Sequence, residues 1–287
     1  MTKLLRAQPL LDARLPLLQA ECADLKKLGI VPKLTVVLVG DNPASLSYIS
    51  NKRKMCEKVG ADFELRQLDP KISHQEFKDI MSAINSDKKI HGCIIQLPVS
   101  PQLQSLRLEA MVNPEKDVDG FHPQNTADIY LGRVHQKSLI PCTPKGIMSL
   151  LHHYEIPVLG KHAVVIGRSQ IVGKPMSMLL NLAGATVTNC HSLTPDLGVL
   201  TRQADIVVSA VGKINLLDNT HFDIKRKTVV IDVGISKNPD GKLVGDVNFE
   251  AVSPLVSAIT PVPGGVGPMT VFSLIENLLT ATQNQKG

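Results

Sequence analysis

The chain has 287 residues, with 31 Lys and Arg against 26 Asp and Glu and a net charge of +5, a length that suits two domains, each with its own core. The charge excess forms no long basic run, Trp is absent and aromatics make up 3%, so the cationic, base-stacking surface of a nucleic-acid binder is missing. Cys22, Cys56, Cys93, Cys142 and Cys190 show neither a C-x-x-C pair nor metal-ligand spacing, which predicts no metal site and a reduced, cytoplasmic protein. No apolar run approaches membrane-spanning length and no signal-peptide pattern opens the chain.

The amino-terminal stretch MTKLLRAQPLLDARLPLL carries short apolar runs broken by Arg6, Pro9, Asp12 and Arg14. Leu34–Val39 reads as a buried strand. A helix follows to Val59, with Asn42 as N-cap, Pro43 in the first helical position and Gly60 as the stop. At about 100° per residue, Ile49, Met55, Cys56 and Val59 share one apolar arc. Lys52 falls inside that arc with Tyr48 one turn earlier, whereas Lys54 and Lys58 point away. Two readings fit Lys52: a stem snorkelling along the core edge, or an amine shielded for proton transfer.

Gly92–Leu97 is the next apolar run, and Gln96 emerges at its carboxyl end, where site residues gather in open α/β sheets. In KDVDGFHP, Asp117 and Asp119 flank Val118 in a turn-rich loop, either to reach a ligand or to cap turns. A domain seam is expected near Ser138–Pro144, where Thr143 is placed to cap a helix running from Pro144 toward Tyr154.

The strand His162–Gly167 leads into G-R-S-Q-I-V-G-K-P, in which Gly167, Arg168 and Ser169 form the turn and Gly173 opens a helix ending near Gly184. Backbone amides and the helix dipole at such a turn suit a pyrophosphate, although Ser169 stands where the G-x-G-x-x-G pattern has glycine. The following strand, Ala185–Cys190, ends in His191 and Ser192, where an NAD enzyme commonly places an acid against the ribose. No acid is present. The Arg168 guanidinium and the Ser192 hydroxyl suit a 2′-phosphate instead, which predicts NADP.

Asp205–Val211 and Thr228–Val233 continue the strand series. In PVPGGVGPMT, Gly264, Gly265 and Gly267 lie between Pro263 and Pro268, so the backbone can approach a flat ligand. A final helix over Pro268–Thr280 places Val271, Leu274, Ile275 and Leu278 at core spacing. The alternation of apolar runs with helical periodicity predicts an α/β fold with largely parallel sheets.

VGDNPAS, YISNK, IIQLP, KDVDGFHP, PCTP, GRSQIVGKP and PVPGGVGPMT, in this order from Val39 to Thr270, resemble the FolD family of bifunctional methylenetetrahydrofolate dehydrogenases and methenyltetrahydrofolate cyclohydrolases. The resemblance spans about Leu34 to Leu279. It departs at the amino terminus, where LLRAQPLLDARLPLL lacks the expected short strand and Asp-Gly turn before the first helix.

The resemblance implies two α/β lobes with a cleft between them. Residues 1–140, joined by the terminal helix over 268–287, would form a folate-binding catalytic domain, and residues 141–267 a Rossmann-like NADP-binding domain. It implies tetrahydrofolate derivatives as substrates, one-carbon metabolism serving purine biosynthesis, and a homodimer. Lys52 takes the proton-handling role, Tyr48 orients the folate, Gln96 partners Lys52, and Asp119 binds the pterin nitrogens. Leu97, Pro98, Pro263, Gly264 and Gly265 fall at the substrate and Ile235 at the cofactor. Two rivals remain: a two-lobe NAD(P)-dependent dehydrogenase of shikimate or amino-acid type, and a noncatalytic nucleotide sensor.

Overall fold

The computed structural model describes residues 2–286. Its first half runs β1 (Lys3–Leu4), α1 (Gln8–Lys27), β2 (Lys33–Val39), α2 (Pro43–Val59), β3 (Asp62–Leu68), α3 (His74–Ser86), β4 (Gly92–Gln96), α4 (Pro123–Tyr130) and α5 (Cys142–His153). The second half continues β5 (His162–Ile166), α6 (Gly173–Leu182), β6 (Thr186–Cys190), α7 (Leu197–Arg202), β7 (Ile206–Ser209), β8 (Val229–Asp232), β9 (Ser236–Lys237), β10 (Leu243–Val244), α8 (Phe249–Val252), β11 (Ala258–Ile259) and α9 (Val266–Asn284). No helix among the described residues is long and apolar enough to cross a membrane.

The chain divides into two compact units. One comprises Ala13–Cys142 with α9 from Val271 onward; the other takes the chain through Asp12 together with Thr143–Thr270. The first unit is built on the parallel three-stranded sheet β3-β2-β4. Central strand β2 is buried from Leu34 to Val39, as expected of a strand covered on both faces. Val37 and Val39 pack with Phe77, Met81 and Ile84 of α3 and with Ile90 and Cys93. A capping box between Ser73 and Glu76 starts α3, satisfying two otherwise orphaned backbone donors.

The second unit carries a six-stranded sheet in the order β1-β11-β8-β7-β5-β6, parallel at every pairing. Its core joins Val164, Ile166, Val207, Val230 and Ile259 from the strands to Leu217, Phe222 and Val252. The strand absent from the sequence reading is present: Lys3 and Leu4 pair with Ala258 and Ile259. This pairing places the first residues in the six-stranded unit, whereas the expected boundaries assign them to the amino-terminal domain.

Two further differences concern helices. The interrupted apolar runs of the amino terminus form α1, which buries Leu10, Leu11, Leu18, Cys22 and Leu25 and retains Pro16 in its interior. Pro9 lies in its first turn, where a missing N–H leaves no unmet bond. Helix α5 begins at Cys142 rather than Pro144, and the Thr143 hydroxyl lies 3.0 Å from that of Thr270 instead of capping.

Candidate functional site

Helix α2 is bounded as its end signals require. Asn42 Oδ1 accepts from the amides of Ala44 and Ser45 at 3.0 and 3.2 Å, and Gly60 closes the helix in the left-handed region at φ +92°. Ile49, Cys56 and Val59 turn into the core, and Lys52 lies on that side, partly shielded. The β2–β4 register sets Gln96 opposite Leu38 at the carboxyl end of the sheet. There Lys52 Nζ donates to Gln96 Oε1 at 3.0 Å, and Gln96 Nε2 donates to the Leu97 carbonyl at 2.9 Å. The amine is therefore tethered in place. Tyr48, one turn before, is 48% exposed.

The two aspartates of KDVDGFHP divide the work that the sequence left open. Asp117 accepts from the amides of Gly120 and His122 at 3.1 and 2.7 Å and from Asn125 Nδ2 at 2.9 Å, so its oxygens are committed to the loop. Among the described residues Asp119, unlike Asp117, makes no hydrogen bond to the amides of this loop; its partner is the Cys142 thiol. Burial raises the Asp119 carboxyl above its ordinary range; the Lys52 charge opposes the rise, Asp117 adds to it, and a hydrogen bond from the Cys142 thiol lowers it. That thiol also lies 3.2 Å from the Val118 carbonyl, while Asn277 Nδ2 of α9 donates to the carbonyls of Val118 and Ile140 at 2.8 and 2.7 Å. Sequence reasoning missed Cys142 and Asn277 as supports of this loop. The only available signal was their residue type inside apolar helical stretches.

Lys52, Gln96 and Asp119 are thus gathered in one unit, with Tyr48 on the same helix as Lys52 and Leu97–Pro98, joined by a cis peptide, directly after Gln96. A tethered amine beside a carboxylate can pass protons and bind a donor-rich heterocycle.

The remaining predicted residues lie in the six-stranded unit, at or near the carboxyl ends of its strands. Gly167 adopts φ +123°, and a Cβ there would stand 2.6 Å from the Ala210 carbonyl oxygen. A Cβ on Gly173 would strike the Gly167 carbonyl oxygen, so the first turn of α6 is pressed against the end of β5. Ser169 Oγ accepts from the amides of Val172 and Gly173 at 3.2 and 3.3 Å, which orders the turn without a second glycine. Arg168 is exposed and has no partner among the described residues. Ser192 is exposed in the turn after β6, where the Thr194 hydroxyl accepts from the His191 amide at 2.9 Å.

Ile235 follows β8 and is 41% exposed; its Cδ1 lies 3.4 Å from where a Gly267 Cβ would stand. Pro263 follows a cis peptide, the Gly264 carbonyl accepts from the Ala7 amide at 2.9 Å, and Gly265 is pressed against the Pro261 carbonyl. A narrow glycine turn, a free guanidinium and an exposed hydroxyl at the ends of adjacent parallel strands fit a dinucleotide carrying an extra phosphate. Among the described residues no cluster of three or more His, Cys, Asp or Glu is arranged to hold a metal.

Fold and sites together describe a two-unit α/β protein with a Rossmann-like nucleotide unit and a separate lysine-centred substrate unit. Residues 6–119 match the model of the tetrahydrofolate dehydrogenase/cyclohydrolase catalytic domain, and residues 141–286 match that of the NAD(P)-binding domain of the same family. The chain belongs to the tetrahydrofolate dehydrogenase/cyclohydrolase family. It is 50% identical to the bifunctional protein FolD of Acidovorax ebreus over 92% of each chain. A solved structure of the bifunctional FolD enzyme from Campylobacter jejuni superposes with a TM-score of 0.95 at 43% identity, covering 99% of each chain. The Trypanosoma brucei FolD enzyme, solved with NADP cofactor and an inhibitor, gives 0.92 at 32% identity over 99% of this chain and 98% of that one. Shikimate dehydrogenase of Aquifex aeolicus, the fold of the rival reading, gives 0.53 at 11% identity over 88% of this chain and 97% of that one, a likeness of fold alone.

Proposed function

We infer that this chain oxidises 5,10-methylenetetrahydrofolate to 5,10-methenyltetrahydrofolate with NADP and then hydrolyses the methenyl cation to 10-formyltetrahydrofolate. The observation that carries this reading is the Lys52–Gln96 hydrogen bond at 3.0 Å beside Asp119, in a chain of this family. When bound, NADP supplies the hydride acceptor for the one-carbon bridge. The chain's own residues then orient substrate and move protons.

In the hydrolytic step a water oxygen bonds to the methenyl carbon and sheds one proton. The hydroxyl left on that carbon then gives up its second proton to form the formyl C=O as the bond to N5 breaks and N5 takes up a proton, so that one proton in all is released to solvent. Lys52 Nζ holds and returns the proton, with Gln96 fixing the position of the amine. Asp119 accepts hydrogen bonds from the pterin amino and ring nitrogens, and Tyr48 packs on the folate. Leu97, Pro98, Pro263, Gly264 and Gly265 line the substrate. Gly167, Ser169 and Gly173 receive the pyrophosphate, Arg168 and Ser192 the 2′-phosphate, and Ile235 packs against the cofactor. On the same reading the enzyme is a cytoplasmic homodimer serving purine biosynthesis; sedimentation of the purified protein tests the dimer.

The deciding assay mixes purified protein with methylenetetrahydrofolate and NADP and follows the methenyl chromophore as it rises and decays. No chromophore with either NADP or NAD discards the reading. Equal or better use of NAD overturns the assignment of Arg168 and Ser192.

A further inference from the structure

Two aspartates outside both sets of predicted residues sit almost fully buried at the carboxyl ends of β7 and β8. Asp246 accepts from the Ser209 hydroxyl and the Val211 amide on Oδ2, at 2.9 and 2.8 Å, and from the Lys213 amide on Oδ1 at 2.8 Å. Asp232 accepts from the amides of Asp246 and Gly234 on Oδ1, at 2.9 and 3.2 Å, and from the Val247 amide on Oδ2 at 3.0 Å. The fit is close: a Cβ on Gly234 would strike the Asp246 carboxylate, and one on Gly245 the Asp232 carboxylate. No cation pairs with either aspartate among the described residues.

Two neighbouring carboxylates buried without a cation are a costly way to hold a turn. Burial and the charge of Asp246 push Asp232 up to about 7, against the pull of its amide donors. What the pair secures are the segments Val211–Lys213 after β7 and Gly234–Ser236 after β8, further joined by the Ser236 hydroxyl donating to the Gly212 carbonyl at 3.3 Å. Ile235 lies between the two anchored residues of the second segment. Ligands of open parallel sheets bind outside the carboxyl ends of such strands.

We propose that Asp246, braced by Asp232, is a positioning residue for the cofactor: it holds the Val211–Lys213 and Gly234–Ser236 segments, and with them Ile235, in the arrangement that receives the nucleotide. The inference rests on the NADP reading given above. Neither aspartate touches the reacting atoms; both act through backbone amides.

The test compares wild-type protein with Asp246→Asn, Ser209→Ala and Arg168→Ala. Calorimetric titration with NADP, the dehydrogenase KM for NADP, cyclohydrolase kcat/KM on supplied methenyltetrahydrofolate and the thermal midpoint are measured for each. Asp246→Asn turns an amide donor toward backbone donors and should weaken NADP binding at least tenfold, exceeding any fall in cyclohydrolase kcat/KM by a similar factor. Ser209→Ala removes one bond to Asp246 and should weaken NADP binding about threefold in the same selective way; it decides the matter if Asp246→Asn does not fold. Unchanged NADP affinity in the folded variants, or equal losses in both activities with a lowered midpoint, overturns the proposal. If Arg168→Ala leaves NADP binding untouched, the assignment of the 2′-phosphate site fails separately.

Discussion

Gln96 Oε1 accepts from Lys52 Nζ at 3.0 Å, and this single bond fixes the position of the amine on which the proposed proton-transfer role of Lys52 rests. Only the hydrolytic step must handle protons from water, so Lys52→Met should lower cyclohydrolase kcat by about 10²–10⁴-fold, the range of a positioned acid–base group. Part of the dehydrogenase activity or folate binding should remain; hydrolysis at near the wild-type rate would remove Lys52 from this role. Asp119 is the carboxylate left over once Asp117 is occupied by Gly120, His122 and Asn125. Asp119→Ala should raise the KM for folate in both reactions, read by steady-state kinetics of each half-reaction. An unchanged KM in both would take Asp119 out of the substrate site.

Helix α6 and the turn before it behave as one piece. The Ser169 hydroxyl satisfies two amides near the start of α6, and Gly173 lets the helix press against the Gly167 carbonyl. Adding one methyl at Gly173 forces backbone to move against backbone, a change costing about 1–3 kcal/mol in a packed interior. Gly173→Ala should therefore lower the thermal midpoint and weaken NADP binding together, whereas loss of affinity at an unchanged midpoint would show that the contact is not tight. Helix α2 needs no such support from afar, because its Asn42 cap and Gly60 stop lie within its own sequence.

Across the protein as a whole, the uncompensated aspartate pair makes stability depend on pH. Asp232 titrates at about 7 in the folded state against about 3.9 in an unfolded chain. Between about 3.9 and 7 the folded state holds a proton that the unfolded chain has lost, so stability falls as pH rises across this window and the loss is complete just above 7. Linkage gives about 1.4 kcal/mol more stability at pH 6 than at pH 8 from this group. Denaturant unfolding at the two pH values should show that difference in the wild type and a flatter response in Asp232→Asn. Equal slopes in the two proteins would mean that Asp232 does not titrate in this window.

Signals acting over a few residues are legible in the amino-acid sequence: the caps of α2, the apolar run of β2, the glycine turn at the end of β5 and the missing acid after β6. They suffice for an α/β chain with a nucleotide turn, and the seven ordered motifs carry the resemblance to a folate enzyme. Contacts between distant residues are not legible there. The strand Lys3–Leu4 exists because it finds β11 near the other end of the chain. Helix α1 tolerates Pro16 because burial of its leucines outweighs a lost backbone bond. The division of labour between Asp117 and Asp119, the thiol of Cys142 and Asn277 beneath their loop, and the buried pair Asp232 and Asp246 all depend on which donors folding brings within about 3 Å. Local propensity sets where an element starts and stops, but hydrogen bonding and burial between remote segments determine which of several similar side chains is left free to meet a ligand.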